Sequence, residues 1–513
     1  MHLSPTDPST PRTSAPSSPG VTGALVPAIT RDWTCPFCPL LCDDLSVRSH
    51  GDGTLSVQDT ECSRLTQALA QYGATDAQCR SLVDGSEVDG TAALARAAQL
   101  LANARRPLFG GLATDVAGAR ALYALAAECG AILDHLHGDA LSPATLALQD
   151  RGSFFTTLSE VRSRADLLVF FGCQPSRRYP RFFTRTLAGA DLARELVFVG
   201  CAADPAADGF AQTRTETLLP HADPFDTLAL WSALSEGREP AALQRDDGSH
   251  DGSGHDASGN DTTADARPDA TPAATLASLQ ARIAAARYTV VVYEPGALPG
   301  PHAALLIEAL NRIVKAANRT SRAACLALGG DDGALTVNQT VTWLSGMPLR
   351  TRVSKPARIA GTAPLDHDPY RYRASRLIAD GEVDALLWVA SFAPQAWPAS
   401  LDAAIPLIVL GHPALANAAK ARGANTVFIP VATPAIDSGG HLFRVDSSVV
   451  MPLAAARGAA LAPVAEIAAR LGALTSELSG ELSSDISSAR PIPRPSAAPP
   501  ARPPAQPPGE ARP

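Results

Sequence analysis

Four cysteines near the N-terminus are the residues best suited to chemistry. They lie in Trp33-Thr-Cys-Pro-Phe-Cys-Pro-Leu-Leu-Cys-Asp-Asp44, where Cys35, Cys38 and Cys42 are spaced C-x2-C-x3-C, and Cys62 follows in Glu-Cys-Ser-Arg. Iron held by four thiolates needs ligands converging from a tight turn plus one returning element, and this spacing supplies both, so a [4Fe-4S] cluster is expected on Cys35, Cys38, Cys42 and Cys62. Pro36 and Pro39 favour turn geometry, and Phe37, Leu40 and Leu41 could screen a cluster from water. Asp43 and Asp44 are expected to bond backbone amides.

Structural zinc is the competing reading, because C-x2-C is also a zinc half-site. Zinc sites usually pair it with a second two-ligand half, whereas here a third cysteine follows closely and the fourth stands alone; the spacing favours the cluster. A vestigial, emptied site is a further alternative. Cys79 rivals Cys62 for the fourth position, but Cys62 lies closer and precedes a helical run. Cys129, Cys173, Cys201 and Cys325 read as buried small hydrophobes.

The elements that must position these residues are legible downstream. Short apolar runs bounded by Gly and Pro alternate with amphipathic helical stretches: residues 106–112, 165–175 and 194–202 in a first block, then 288–296, 324–330, 384–392, 406–412 and 426–431 in a second. The alternation indicates βαβ units, hence α/β domains built on doubly wound parallel sheets. The expected organisation is a disordered segment 1–30, a Cys-rich iron-sulfur domain 31–85, a first α/β domain 86–239, a disordered insertion 240–275, a second α/β domain with C-terminal segment 276–475, and a disordered Pro-rich tail 476–513. No GxGxxG or GxxxxGK[ST] follows any strand, which disfavours NAD and ATP.

At 513 residues the chain is too long for one core. Its 46% hydrophobic and 18% charged composition is that of an ordinary globular protein. No apolar stretch approaches the ~20 residues that span a bilayer, and no secretion signal opens the sequence, so a cytoplasmic location is expected. Net charge is -8, the lysines are only Lys315, Lys355 and Lys420, and the arginines are scattered, which argues against nucleic acid as a partner.

The motifs together resemble the B-subunit family of formylmethanofuran dehydrogenase, a branch of the molybdopterin oxidoreductases. The resemblance rests on CPFCPLLCDDLSV (35–47), LSEVRSRADLLVFFGCQPSRRYPRFFTR (158–185), NQTVTWLSGMPLR (338–350), GEVDALLWVASFAP (381–394) and FIPVATPAIDSGGHLFRVD (428–446), and covers roughly residues 31–455. It implies a small iron-sulfur domain and two α/β domains enclosing a molybdenum or tungsten bis-pterin, without the C-terminal barrel of single-chain relatives and dependent on companion subunits.

One departure is telling. Active members of the family place a metal-ligating cysteine or selenocysteine immediately before a His-Gly pair, and here the segment reads Asp134-His-Leu-His-Gly-Asp139. Leu136 has no lone pair for a metal, so the molybdopterin centre is expected to be absent and the site, Leu136 with His137, vestigial. His135 is a weaker candidate ligand, and Arg350, Arg352, Lys355 and Arg358 are candidates for a basic residue near the site. This pattern resembles the bacterial formyltransferase/hydrolase branch of the family, found in methylotrophs, where the B-like subunit is architectural and one-carbon formyl groups are handled by partner subunits. The alternatives are a redox-active formylmethanofuran dehydrogenase subunit and a zinc-stabilised binding module.

Overall fold

Apolar runs too short for helices become strands, and the stretches between them become capped helices. The structure, a computed structural model, describes residues 28–58, 60–73, 78–189, 191–238, 271–355, 363–458 and 460–488. The first sheet is a three-stranded antiparallel meander of β1 (Ala28–Trp33), β2 (Leu45–Ser49) and β3 (Leu55–Gln58), and it frames the cysteine segment. A hairpin of β4 (Ser81–Val83) and β5 (Ser86–Val88) follows, then β6 (Pro107–Ala113) and β7 (Ile132–Leu133).

A five-stranded sheet is formed by β8 (Leu167–Phe171), β9 (Arg194–Val199), β10 (Thr213–Leu218), β11 (Thr289–Tyr293) and β12 (Ala323–Ala327). Its order is β10-β9-β8-β11-β12, parallel throughout, with Val291 level with both Val169 and Cys325. The remaining long strands belong to a second sheet: β13 (Thr351–Val353), β14 (Leu365–His367), β15 (Ala385–Ala390), β16 (Leu407–Gly411) and β17 (Thr426–Pro430). They join the earlier strands in the order β14-β13-β7-β6-β15-β16-β17-β4-β5, whose parallel centre runs from β7 to β17. A hairpin of β18 (Gly440–Phe443) and β19 (Val450–Leu453) and the long helix Val464–Ser488 complete the chain.

The α/β class and parallel sheets agree with the sequence reading, but the partition at 86–239 and 276–475 does not describe the sheets. β6 and β7 come from the first block yet pair into the sheet of β15 to β17, while β8 to β10, also from the first block, pair with β11 and β12 from the second. Strands buried on both faces are near-uniform apolar runs, so sequence announces that they exist without encoding which strand lies beside which. Residues of alternating register feed different cores: Phe109, Leu387 and Ile408 on one face of the nine-stranded sheet, Leu108, Leu386 and Leu407 on the other.

The cysteine segment has no core of its own. Trp33, Cys35, Cys38 and Cys42 share one continuous apolar cluster with Phe170, Phe198 and Val290, which project from one face of the five-stranded sheet. The expected disordered stretches fall mostly outside the described residues. Where they overlap them, residues 28–30 open β1, Thr271 caps the helix Pro272–Ala285, which buries Ala273, Leu276, Leu279 and Ile283, and residues 476–488 continue the last helix. The helical period of those apolar positions supplies the packing that a composition-based reading overlooks.

Between β12 and the helix Ala334–Ser345 runs Gly329-Gly330-Asp331-Asp332-Gly333, a loop that crosses from one sheet to the other. Gly333 has φ +74°, and a Cβ there would lie 2.3 Å from the carbonyl oxygen of Thr114 at the end of β6. Gly333→Ala is therefore expected to destabilise the protein by about 2 kcal/mol through backbone strain and enforced separation. Gly90→Ala, where a Cβ meets nothing within 4 Å, should be neutral or slightly stabilising in the same urea titration.

Candidate functional site

Both sheets reverse their direction of growth once. In the five-stranded sheet the reversal lies between β8 and β11, and in the nine-stranded sheet between β6 and β15, and crevices beyond the carboxyl ends of such strand pairs are where open α/β sheets bind ligands. The loop 329–333 links these two places, and its two carboxylates organise them.

Asp331 is only 2% exposed. Its Oδ1 lies 2.7 Å from the guanidinium of Arg64, in the helix just after Cys62, and its Oδ2 accepts from Arg178 and, at 3.3 Å, from the Tyr179 hydroxyl. Arg178 in turn donates to Glu294 at the end of β11, and its backbone oxygen accepts from Arg64 at 3.1 Å. Asp332 adopts φ +52° and turns towards the nine-stranded sheet, where its Oδ2 lies 2.8 Å from both His137 Nε2 and Gln395 Nε2. Burial opposes the charge on Asp332, and the hydrogen bond from His137 leads the contacts that nevertheless hold its pKa below the usual carboxylate value.

The segment 134–139 lies directly after β7. Leu136 is part-buried and packs against both the cysteine-containing core and the core on the Trp388 face of the nine-stranded sheet, so it makes an apolar bridge between them. His135 is buried. Its Nδ1 accepts from the backbone N–H of His137 at 3.0 Å, which leaves Nε2 to donate to the Asp332 carbonyl at 3.2 Å. That network describes a neutral imidazole, and burial, aided by electrostatic repulsion from neighbouring His137, pushes its pKa down to about 3.

Of the basic candidates, Arg350 belongs to this segment. It is buried with φ +68°, and its guanidinium reaches Asp134 Oδ1 at 3.4 Å, Asp139 Oδ1 at 2.5 Å and the Pro369 carbonyl at 2.6 Å, clamping the turn from both ends. Arg352 donates to the Ala363 carbonyl and Lys355 pairs with Glu128, both away from His137; Arg358 lies outside the described residues.

Cys35, Cys38 and Cys42 are buried and Cys62 is partly so. Burial pushes the Cys38 thiol up to about 12 and that of Cys42 up to about 11, and it raises Cys35 as well, with its three companions near enough to add to the shift. Cys79 lies apart, with its sulfur 3.8 Å from the Pro413 carbonyl. Among the described residues no group of three or more His, Cys, Asp or Glu side chains placed to hold a metal ion is found, while Cys38, Cys42 and Cys62 all lie within electrostatic reach of Cys35. Asp43 pairs with Arg185 and Asp44 with Arg181, because two guanidinium groups at the helix Phe182–Thr186 reach the segment; a backbone amide adds to the stabilisation of the Asp44 carboxylate.

No family model matches the chain. The B subunit of the formyltransferase/hydrolase complex Fhc of Methylorubrum extorquens is 29% identical over 369 residues, covering 72% of this chain and 89% of that protein. The B subunit of the tungsten-containing formylmethanofuran dehydrogenase 2 of Methanocaldococcus jannaschii is 30% identical over 170 residues, 31% of this chain and 38% of the relative. The chain is a homologue of these B subunits. The crystal structure of the formyltransferase/hydrolase complex from Methylorubrum extorquens with methylofuran contains a chain that superposes with a TM-score of 0.62 at 25% identity, spanning 77% of this chain and 99% of the other. No helix among the described residues is long and apolar enough to cross a membrane.

The sequence reading missed Arg64, Arg178, Glu294 and the Asp331–Asp332 pair. The available signal was two adjacent acids inside Gly-Gly-Asp-Asp-Gly at the end of an apolar strand, where a solvated loop would have been the default. Asp331→Ala leaves Arg64 and Arg178 without their shared carboxylate and should cost about 3–5 kcal/mol, with residues 31–72 exchanging amide hydrogens faster than in the wild type.

Burial raises the pKa of Asp134 to about 6, against the opposing pull of Arg350. Between the ordinary carboxylate value and about 6 the native chain holds a proton that the unfolded chain has released, so stability falls as pH rises through that window. Asp134→Asn should flatten this part of a plot of denaturant midpoint against pH.

Proposed function

We propose that this chain is the B subunit of a formyltransferase/hydrolase complex in one-carbon metabolism, and that it serves there as an architectural component while companion subunits transfer the formyl group and hydrolyse it to formate. One observation carries the reading: similarity to the Fhc B subunit extends over 89% of that protein, and the fold follows a chain of the assembled complex over 99% of its length. Leu136 supports it from within, since the residue offers the site apolar packing and no donor atom. His137 is engaged by Asp332, and Arg350 by Asp134 and Asp139, so the polar groups of the site act on one another.

The [4Fe-4S] cluster on Cys35, Cys38, Cys42 and Cys62 is a separable part of the proposal. Four thiols facing one core within electrostatic reach of each other support it, and it requires them to close from this arrangement onto iron. No step of formyl chemistry is routed through it.

Co-expression with the companion subunits is the test. The chain should co-purify with them, formyl transfer and hydrolysis should appear in the assembled complex, and the chain alone should show neither. Tungsten or molybdenum with bound pterin, together with formyl-dependent dye reduction, would overturn the architectural reading in favour of a redox-active role. In the same anaerobic preparation about four irons per chain with matching sulfide supports the cluster, one zinc replaces it with a structural zinc site, and neither metal leaves the cysteines as packing thiols.

A further inference from the structure

We infer that the apolar patch formed by Trp343, Leu344 and Met347 beside the β18–β19 hairpin is a docking surface for a companion chain of the complex, an assignment that rests on the architectural reading above. Trp343, in the last turn of the helix Ala334–Ser345, is 72% exposed, and Leu344 and Met347 within the next four residues are also exposed. The patch continues onto the hairpin. The Trp343 ring stands edge-on to Phe443 with centroids 5.0 Å apart, and Phe443 is the strand partner of Val450, which is exposed in its turn.

An indole left in water forgoes a large hydrophobic gain, and nothing in the fold of this chain requires it there. Trp, Met and aromatic side chains are what the centres of protein interfaces accumulate, while charges are depleted from them. The polar groups around it are spoken for: Gln339 donates to Ser447 at 3.5 Å, Ser345 accepts from the Met347 amide, and the hairpin's Arg444 is neutralised by Asp446 at 2.7 Å. A polyanion or an anionic membrane would call for a basic rim, so this surface suits an apolar groove on another protein. The occupant is a companion chain of the complex, since the homologous chain of matching fold is part of a four-subunit assembly. The patch also lies on firm ground. The helix that carries it is capped by Gly333, so the far end of the same rigid rod, roughly 18 Å away by its 12 residues, is anchored in the Asp331–Asp332 junction.

Trp343→Glu with Met347→Glu tests the surface, and Phe155→Glu, at a residue 63% exposed elsewhere, is the control. All three side chains are exposed, so each variant should keep the thermal midpoint of the wild type. The expected result is that wild type and Phe155→Glu assemble with the companion subunits, while the apparent affinity of the double variant falls at least ~10-fold. Full assembly by the double variant, loss of assembly by Phe155→Glu alone, or a homodimer of this chain that the double variant abolishes would overturn the assignment. If the wild-type chain assembles with no companion, the underlying reading of the chain as a component of the complex has failed instead.

Discussion

Two buried carboxylates, Asp331 and Asp332, hold the rest of the structure in register. Removing a carboxylate from water costs several kcal/mol, and the cost is offset only where cations and hydrogen-bond donors meet it with good geometry. For Asp331 those donors come from the cysteine segment through Arg64 and from the crevice of the five-stranded sheet through Arg178 and Tyr179. For Asp332 they come from the nine-stranded sheet through His137 and Gln395. Three parts of the chain that are distant in sequence are thereby tied to one five-residue loop. The contribution to net stability of such buried pairs is modest, because attraction and desolvation nearly cancel. Their contribution is to position, because moving any one member leaves a buried charge without its partner.

Neutral contacts repeat the same tie. The Trp33 indole donates to the Ala435 carbonyl at 2.9 Å, the Tyr72 hydroxyl to the Phe392 carbonyl at 2.8 Å, and the Val445 amide to the Pro39 carbonyl at 2.8 Å. Each joins the cysteine segment to loops beyond the nine-stranded sheet, and each satisfies a polar group that the shared apolar core would otherwise strand. The N-terminal segment is consequently an integral layer of the molecule, and its cysteines sit between the two sheets' cores.

The parts of this arrangement that were legible in the sequence are those that depend on local periodicity. Runs such as Leu-Leu-Val-Phe-Phe before Gly172 can only be buried strands, and the helices between them follow from their apolar spacing. The pairing of β8 with β11 was not legible, since a run of Val, Leu and Phe presents the same face to any parallel neighbour. The same reason hid the junction. Asp331 and Asp332 are indistinguishable from solvated loop acids until Arg64 and Arg178 arrive, and those arginines lie far away in sequence. At residue 136 the sequence offered an apolar side chain before His-Gly, and the structure packs it against two cores.

A site whose charges are all matched internally has a definite thermodynamic character. An anionic ligand that drew Arg178 away from Glu294 would leave that buried carboxylate without its guanidinium, and a cation that took Asp331 would deprive Arg64 and Arg178 of their shared partner. Either exchange costs several kcal/mol before any new contact counts, so differential affinity for a ligand is hard to build there. The neutral His135, locked between the His137 amide and the Asp332 carbonyl, is equally committed. What such a site does well is hold a shape, since displacing any one member unbalances the others. Catalysis asks for groups kept free for a transition state, whereas a scaffold asks for groups spent on each other. The pairing of Asp331 with Arg64 and Arg178, of Asp332 with His137 and of Arg350 with Asp139 follows the second pattern, in keeping with the proposed architectural role.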